Sequence, residues 1–267
     1  MMPHVRNVFL IARTLLYEAW RRREVYAIVI VTSIVLGALR YVRFFDIPDL
    51  GKFYREAALK VMNVITAATV ILLAARQLPR EFTLRTIYPL LAKPVSRMEF
   101  LVGKFLGVIA AGVFCYALFM AVFIVVNATL HVPIEKTLFI QSVYLQILSL
   151  AVVASLVFFL SMVLHADAAV TLAAILYLFS QTFMNLTTYL YDYVGQWAQW
   201  FLLSLMYAIP QLTLFDASAR VVHSVDKGQV IWSALPAWVL LAMTGYAFAY
   251  SLAFLAASYL LFRRRPL

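Results

Sequence analysis

The sequence predicts an all-α, polytopic membrane protein with six transmembrane helices, and three observations carry that prediction. Hydrophobic residues fill 65% of the 267 positions and charged residues only 13%, against about 45–50% and about 25% in soluble domains; mean hydropathy is +0.91. The apolar residues fall in runs long enough to cross a hydrocarbon core about 30 Å thick at about 1.5 Å per residue. The basic residues, which leave a net charge of +10, cluster at the ends of those runs. That distribution fits anchoring at an anionic lipid surface and no nucleic acid. The whole chain, 1–267, is read as one transmembrane domain.

The first element is an amphipathic helix over 4–23. Val5, Val8, Phe9, Ala12, Leu15, Leu16, Ala19 and Trp20 recur at helical spacing, with Arg6, Arg13 and Glu18 between them. Trp20 and the Arg21-Arg22-Arg23 cluster mark an inner-leaflet boundary, so this helix is expected to be interfacial. The same arginines interrupt every candidate apolar core of a cleavable signal peptide. The six spans are expected at about 25–42, 57–76, 103–127, 138–164, 168–188 and 235–262. In the second, only Val61 to Ala75 is free of charge, and Lys60 and Arg76 must snorkel to opposite interfaces. Asp167 is expected to cap the fifth.

Tyr193 to Phe215 is uncharged and long enough to be a seventh span, but charge counting opposes it. With six spans, most of the 22 lysines and arginines, including the terminal Arg263-Arg264-Arg265, face one side, and both termini are cytoplasmic. Pro210, Gln196, Gln199, Gln211, Trp197 and Trp200 suit short helices at the outer interface, within an outer segment at 193–230.

The connection between the second and third spans reads RQLPREFTLRTIYPLLAKPVSRMEFLVGK from Arg76 to Lys104. Pro79 suits the first turn of a separate short helix, Glu81 complements its positive end, and Pro89 and Pro94 stop it. Ser96 and Glu99 have capping-box spacing, so the third span opens there. A stiff, basic segment at 79–93 thus hangs between two spans; it is either an ordinary topology-fixing loop or a lever for a soluble partner.

Glu81, Arg85-Thr86, Leu90 to Arg97, Glu99-Phe100 and Gly103-Lys104 together resemble the inner loop of permease subunits of type 2 ATP-binding cassette exporters. The likeness extends to the N-terminal helix, the six-span plan, the outer segment around Pro210 and Phe215-Asp216, and the basic C-terminus. It implies a cytoplasmic-membrane permease that exports a substrate, pairs with a second copy or close relative, and is driven by a cytoplasmic ATP-binding subunit. In that reading Arg80, Glu81, Arg85, Thr86, Lys93, Pro94 and Arg97 form the ATPase-coupling segment, and ATP and magnesium are held by the partner. The family often places a second acidic residue beside the position of Glu81; here Arg80 precedes it.

No phosphate-cradling G-x-x-x-x-G-K-[ST] pattern is present: Gly51-Lys52 and Gly103-Lys104 lack both the upstream glycine and the following hydroxyl. No H-E-x-x-H zinc motif or paired in-span histidines occur, and Cys115 is alone, so neither catalysis, a metal site nor an intrachain disulfide is expected. The carboxylates avoid mid-span positions, which argues against a proton- or sodium-coupled carrier. In the second span Asn63, Thr66 and Val70, and in the fifth Ala174, Leu178, Gln181, Asn185 and Thr188, form polar-marked helical stripes. Asn63, Thr66, Gln181, Asn185 and Thr188 either line a substrate path or hold helices together at on the order of 0.6 kcal/mol per contact. Gly103 and Gly107 give a G-x-x-x-G spacing suited to close helix packing. A non-transporting membrane scaffold and a secondary carrier are the alternatives to the permease.

Overall fold

The computed structural model describes residues 3–21, 23–39, 50–83, 96–128, 135–191, 193–222, 225–226 and 229–264. Among them are helices α1 (Pro3–Arg21), α2 (Arg23–Leu39), α3 (Leu50–Thr83), α4 (Arg97–Ala128), α5 (Lys136–Val163), α6 (Ala166–Tyr191), α7 (Gln196–Ala208), α8 (Ser218–Val222) and α9 (Ala237–Arg264). A 3-10 turn spans Leu212–Phe215, and a two-residue antiparallel ribbon pairs Val225 with Val230 and Asp226 with Gln229.

Four stretches are long and apolar enough to cross a membrane: Tyr54–Pro79, Arg97–Ala128, Lys136–Val163 and Ala237–Arg264. A fifth, in α6, is broken, because Ala166–Ser180 and Asn185–Tyr191 meet at 63°. The first expected span, 25–42, is seen as the 17-residue α2, about 25 Å at 1.5 Å per residue, short of the roughly 30 Å core; residues 40–42 lie outside the described set. Tyr193 to Phe215 is no crossing: α7 has 13 residues, Pro210 blocks its continuation, and the 3-10 turn follows.

Several local expectations are corrected. Helix α3 runs 34 residues and continues through Pro79 to Thr83, so Pro79 sits inside a long helix instead of opening a separate one. A proline there removes the bond to the Ala75 carbonyl; the turn is held by its packed flanks, since Ala74, Ala75, Gln77 and Leu78 are buried. Lys52, Arg55, Glu56 and Lys60 belong to the opening turns of α3, and Lys60 Nζ lies 2.6 Å from Glu56 Oε1, one turn away. Asp167 falls inside the first turn of α6 and not at its cap; the Ala169 amide donates to the His165 carbonyl at 2.9 Å.

Close approach organises the bundle. A Cβ at Gly103 would stand 2.9 Å from Ile11 Cβ, and one at Gly107 would stand 2.9 Å from Leu15 Cβ. Asn7 Nδ2 donates to Glu99 Oε2 at 3.2 Å across a separation of 92 residues, and the two glycines meet α1 at that same offset. Farther along, the Trp20 and Phe114 rings lie 4.7 Å apart. The two helices therefore run parallel and in register for about four turns. The expected interfacial helix is docked lengthwise on α4, because a small-residue stripe lets the backbones touch. Gly112 likewise packs against Val70 of α3. On the outward face of α1, the Arg13 guanidinium donates to the Tyr17 hydroxyl at 3.4 Å. That bond draws the phenol below its ordinary range and pushes the guanidinium up.

Candidate functional site

The connection at 84–95 joins α3 to α4, and the residues around it form the first candidate site. Arg80 and Glu81 lie in the last turn of α3, with side chains outside the described set; Arg85, Thr86, Lys93 and Pro94 lie outside the described residues. What can be built is the base of α4. The Glu99 amide donates to Ser96 Oγ at 3.2 Å, which fixes the helix start. The Glu99 carboxylate accepts from Asn7 of α1.

Arg97, expected to face a partner, donates through one guanidinium nitrogen to the carbonyls of Phe262 at 3.2 Å and Arg263 at 3.1 Å. Those are carbonyls at the C-terminal end of α9, where a cation is favoured by the helix dipole. The guanidinium carbon also stands 5.6 Å from the centre of the Phe262 ring. Lys104, buried, donates to Gln77 Oε1 of α3 at 3.2 Å, with its ammonium 5.7 Å from the centre of the Phe100 ring. Three charged side chains within two turns thus grip α1, α9 and α3.

The second candidate lies toward the other end of the bundle, where Lys60, Asn63, Gln146, Ser149, Tyr177, Ser180 and Asp216 line a cavity of about 390 Å³. Helices α3, α5 and α6 form its walls, and the turn from Leu212 to Asp216 closes it. Asp216 is positioned by sequence: its Oδ1 accepts from the Ser218 amide at 3.0 Å and the Ser218 hydroxyl at 2.5 Å, which starts α8. Asn63 Nδ2 donates to the Ser218 hydroxyl at 3.2 Å. The Asn63 backbone carbonyl accepts from Tyr177 at 3.3 Å and Gln146 at 3.4 Å. Asn63 Oδ1 is buried without a hydrogen-bond partner.

Of the residues expected to line a path, Asn63 lines this cavity. Thr66 is fully buried and donates to the Met62 carbonyl of its own helix at 2.7 Å. Asn185 is exposed and lies beyond the bend in α6; the side chains of Gln181 and Thr188 are outside the described set. Leu178, on the same stripe, does reach the cavity. Sequence reasoning missed Gln146 and Ser149, although Ser142, Gln146 and Ser149 recur at i, i+4 and i+7 as a legible polar stripe on α5. It also missed Lys60 and Tyr177 as lining residues.

The outer segment is tied down by hydroxyls and amides. The Gln211 amide donates to the Tyr246 hydroxyl at 2.8 Å, and Tyr250 donates to the Tyr207 carbonyl at 2.6 Å. Gln141 and Leu235 exchange two bonds at 3.0 and 2.7 Å, which lock the approach to α9 onto α5. Among the described residues no group of three His, Cys, Asp or Glu side chains is placed to hold a metal ion.

Comparison with known proteins gives one result that spans the chain. The family described as ABC-2 family transporter protein matches residues 15–267. No curated protein matches the chain.

Proposed function

Because the chain belongs to the ABC-2 transporter family, as a multi-pass permease, we propose that it exports a substrate across the cytoplasmic membrane, driven by two cytoplasmic ATP-binding subunits. ATP and magnesium are held and consumed by those partners; this chain binds neither. Two copies of the permease, or one copy and a close relative, form the translocation unit, with six spans per copy and both termini cytoplasmic. In this arrangement α2 belongs to the first span and the bent α6 supplies the fifth. Helix α1 offers Arg6, Arg13 and Arg21 outward to inner-leaflet headgroups.

The observation that carries the mechanism is the grip of Arg97, Glu99 and Lys104 on α9, α1 and α3. A partner that docks on Arg80, Glu81, Arg85, Thr86, Lys93 and Pro94 pushes on a connection with no loose joint on its α4 side. Closure of the ATP-binding subunits is passed on as rigid-body motion, and the outer segment opens in response. In this reading Arg97 does not touch the partner; it fixes the direction in which the push is delivered.

The test uses the reconstituted permease with its ATP-binding partner. Glu81→Lys and Arg85→Glu should abolish permease-stimulated ATP hydrolysis and transport while membrane insertion stays normal. Unchanged stimulation and transport in both variants would remove the coupling assignment.

A further inference from the structure

The unmet chemistry of the outer cavity identifies what it takes. Lys60 and Asp216 both line it; the Lys60 ammonium is bonded to the Glu56 carboxylate at 2.6 Å, and Asp216 is the carboxylate that the lining itself presents. Three of the donors on the wall already have acceptors. Tyr177 and Gln146 both give their hydrogen bonds to the Asn63 backbone carbonyl, and the Asn63 amide nitrogen gives its own to Ser218. What remains is demand for donors: Asn63, only 9% exposed, has an Oδ1 that accepts nothing. A buried acceptor without a donor is costly in a packed protein unless something else meets it.

We infer that this cavity binds a primary ammonium group, held between the Asp216 carboxylate and Asn63 Oδ1. An anion would meet the Asp216 carboxylate and be repelled. A quaternary ammonium would satisfy the charge and bring no N–H for Asn63, whereas a primary ammonium has three. The volume, about 390 Å³, lies near the lower end of the about 300–1,000 Å³ usual for ligand pockets, suited to a headgroup or small amine. Val64 and Leu178 flank the cavity and are exposed, which gives an acyl chain an apolar slope beside it. The shared chemistry is the ammonium; a lipid headgroup and a free amine are its two sources. The site stands independently of ATP-driven transport, since its ligand can be measured on the permease alone.

The experiment is thermal unfolding of the purified full chain in detergent with three probes: dihexanoyl phosphatidylethanolamine, dihexanoyl phosphatidylcholine and free ethanolamine. Phosphatidylethanolamine should raise the midpoint saturably and phosphatidylcholine should not. Asp216→Asn keeps an acceptor for Ser218 and should weaken the apparent affinity at least tenfold. Asn63→Leu, which deletes the unpaired oxygen, should do the same and serves if Asp216→Asn does not fold. An equal effect of ethanolamine assigns the site to free amines, and an effect of the lipid alone assigns it to headgroups; either supports the ammonium site. No stabilisation by either amine, equal stabilisation by phosphatidylcholine, or affinity unchanged in both variants overturns it.

Discussion

At the end of the bundle nearest the 84–95 connection, all three charged residues of the first two turns of α4 have partners on other elements. Toward the opposite end, α3, α5, α6 and a 3-10 turn surround a cavity with an unpaired carboxamide oxygen. The first region is joined by glycine contacts and charged side chains; the second is joined by hydroxyl and amide bonds around buried Leu212, Phe215, Val221 and Val222. Helices in a lipid environment gain little from the hydrophobic effect between themselves, so packing and hydrogen bonds set local rigidity. On the proposed function, the first region receives force and the second answers it.

That contrast can be broken most directly at the glycines. Gly107→Leu drives a side chain into Leu15 and the Ala12 backbone, and overpacking of this kind costs about 1–3 kcal/mol. Unfolding in detergent should report that loss, and hydrogen exchange should rise over residues 7–15; unchanged exchange would mean that α1 is not docked there. Next in size is Lys104→Met, which leaves the buried Gln77 carbonyl oxygen without this donor and should cost about 1–2 kcal/mol. Arg97→Ala removes two carbonyl contacts at the end of α9 and should cost about 1 kcal/mol, with faster exchange confined to the last turn of α9; Arg97→Lys should recover only part.

The outer region should respond less. Tyr246→Phe removes the partner of the Gln211 amide and should cost about 1 kcal/mol or less, read as increased protease access to the outer segment without a global change in unfolding. Smallest is Asn63→Leu in the absence of ligand: it deletes an unpaired buried oxygen, and Ser218 keeps its bond to Asp216, so stability should change by less than about 0.5 kcal/mol. A larger loss there than at Lys104 would invert the comparison.

Much of the helical framework was legible because run length, charge spacing and caps are local signals. Ser96 marks the start of α4 in the sequence and in the structure, where its hydroxyl accepts from the Glu99 amide. The Gly103 and Gly107 spacing announced a close contact, but nothing local named α1 as the partner, because a pairing across 92 residues leaves no mark within either helix. Pro79 misled for a related reason: the local rule for proline predicts a helix start, whereas packing of the turn before it keeps α3 continuous to Thr83. The cavity was half legible. Asn63 was on the page, but Gln146, Tyr177 and Asp216 join it only when three separated helices and the outer turn converge. Arg97 reads as one more basic loop residue until α9 brings its terminal carbonyls to it.

The central claim is that a separate ATP-binding subunit drives this permease through the α3–α4 connection. It is tested most directly by purifying the chain from its native membrane, identifying co-purified proteins by mass spectrometry and assaying ATP hydrolysis. The account predicts that an ATP-hydrolysing subunit is recovered with the wild-type chain and lost when Glu81 and Arg85 are both charge-reversed. Recovery of the intact chain with no ATPase would contradict it and point instead to a membrane scaffold or a gradient-driven carrier.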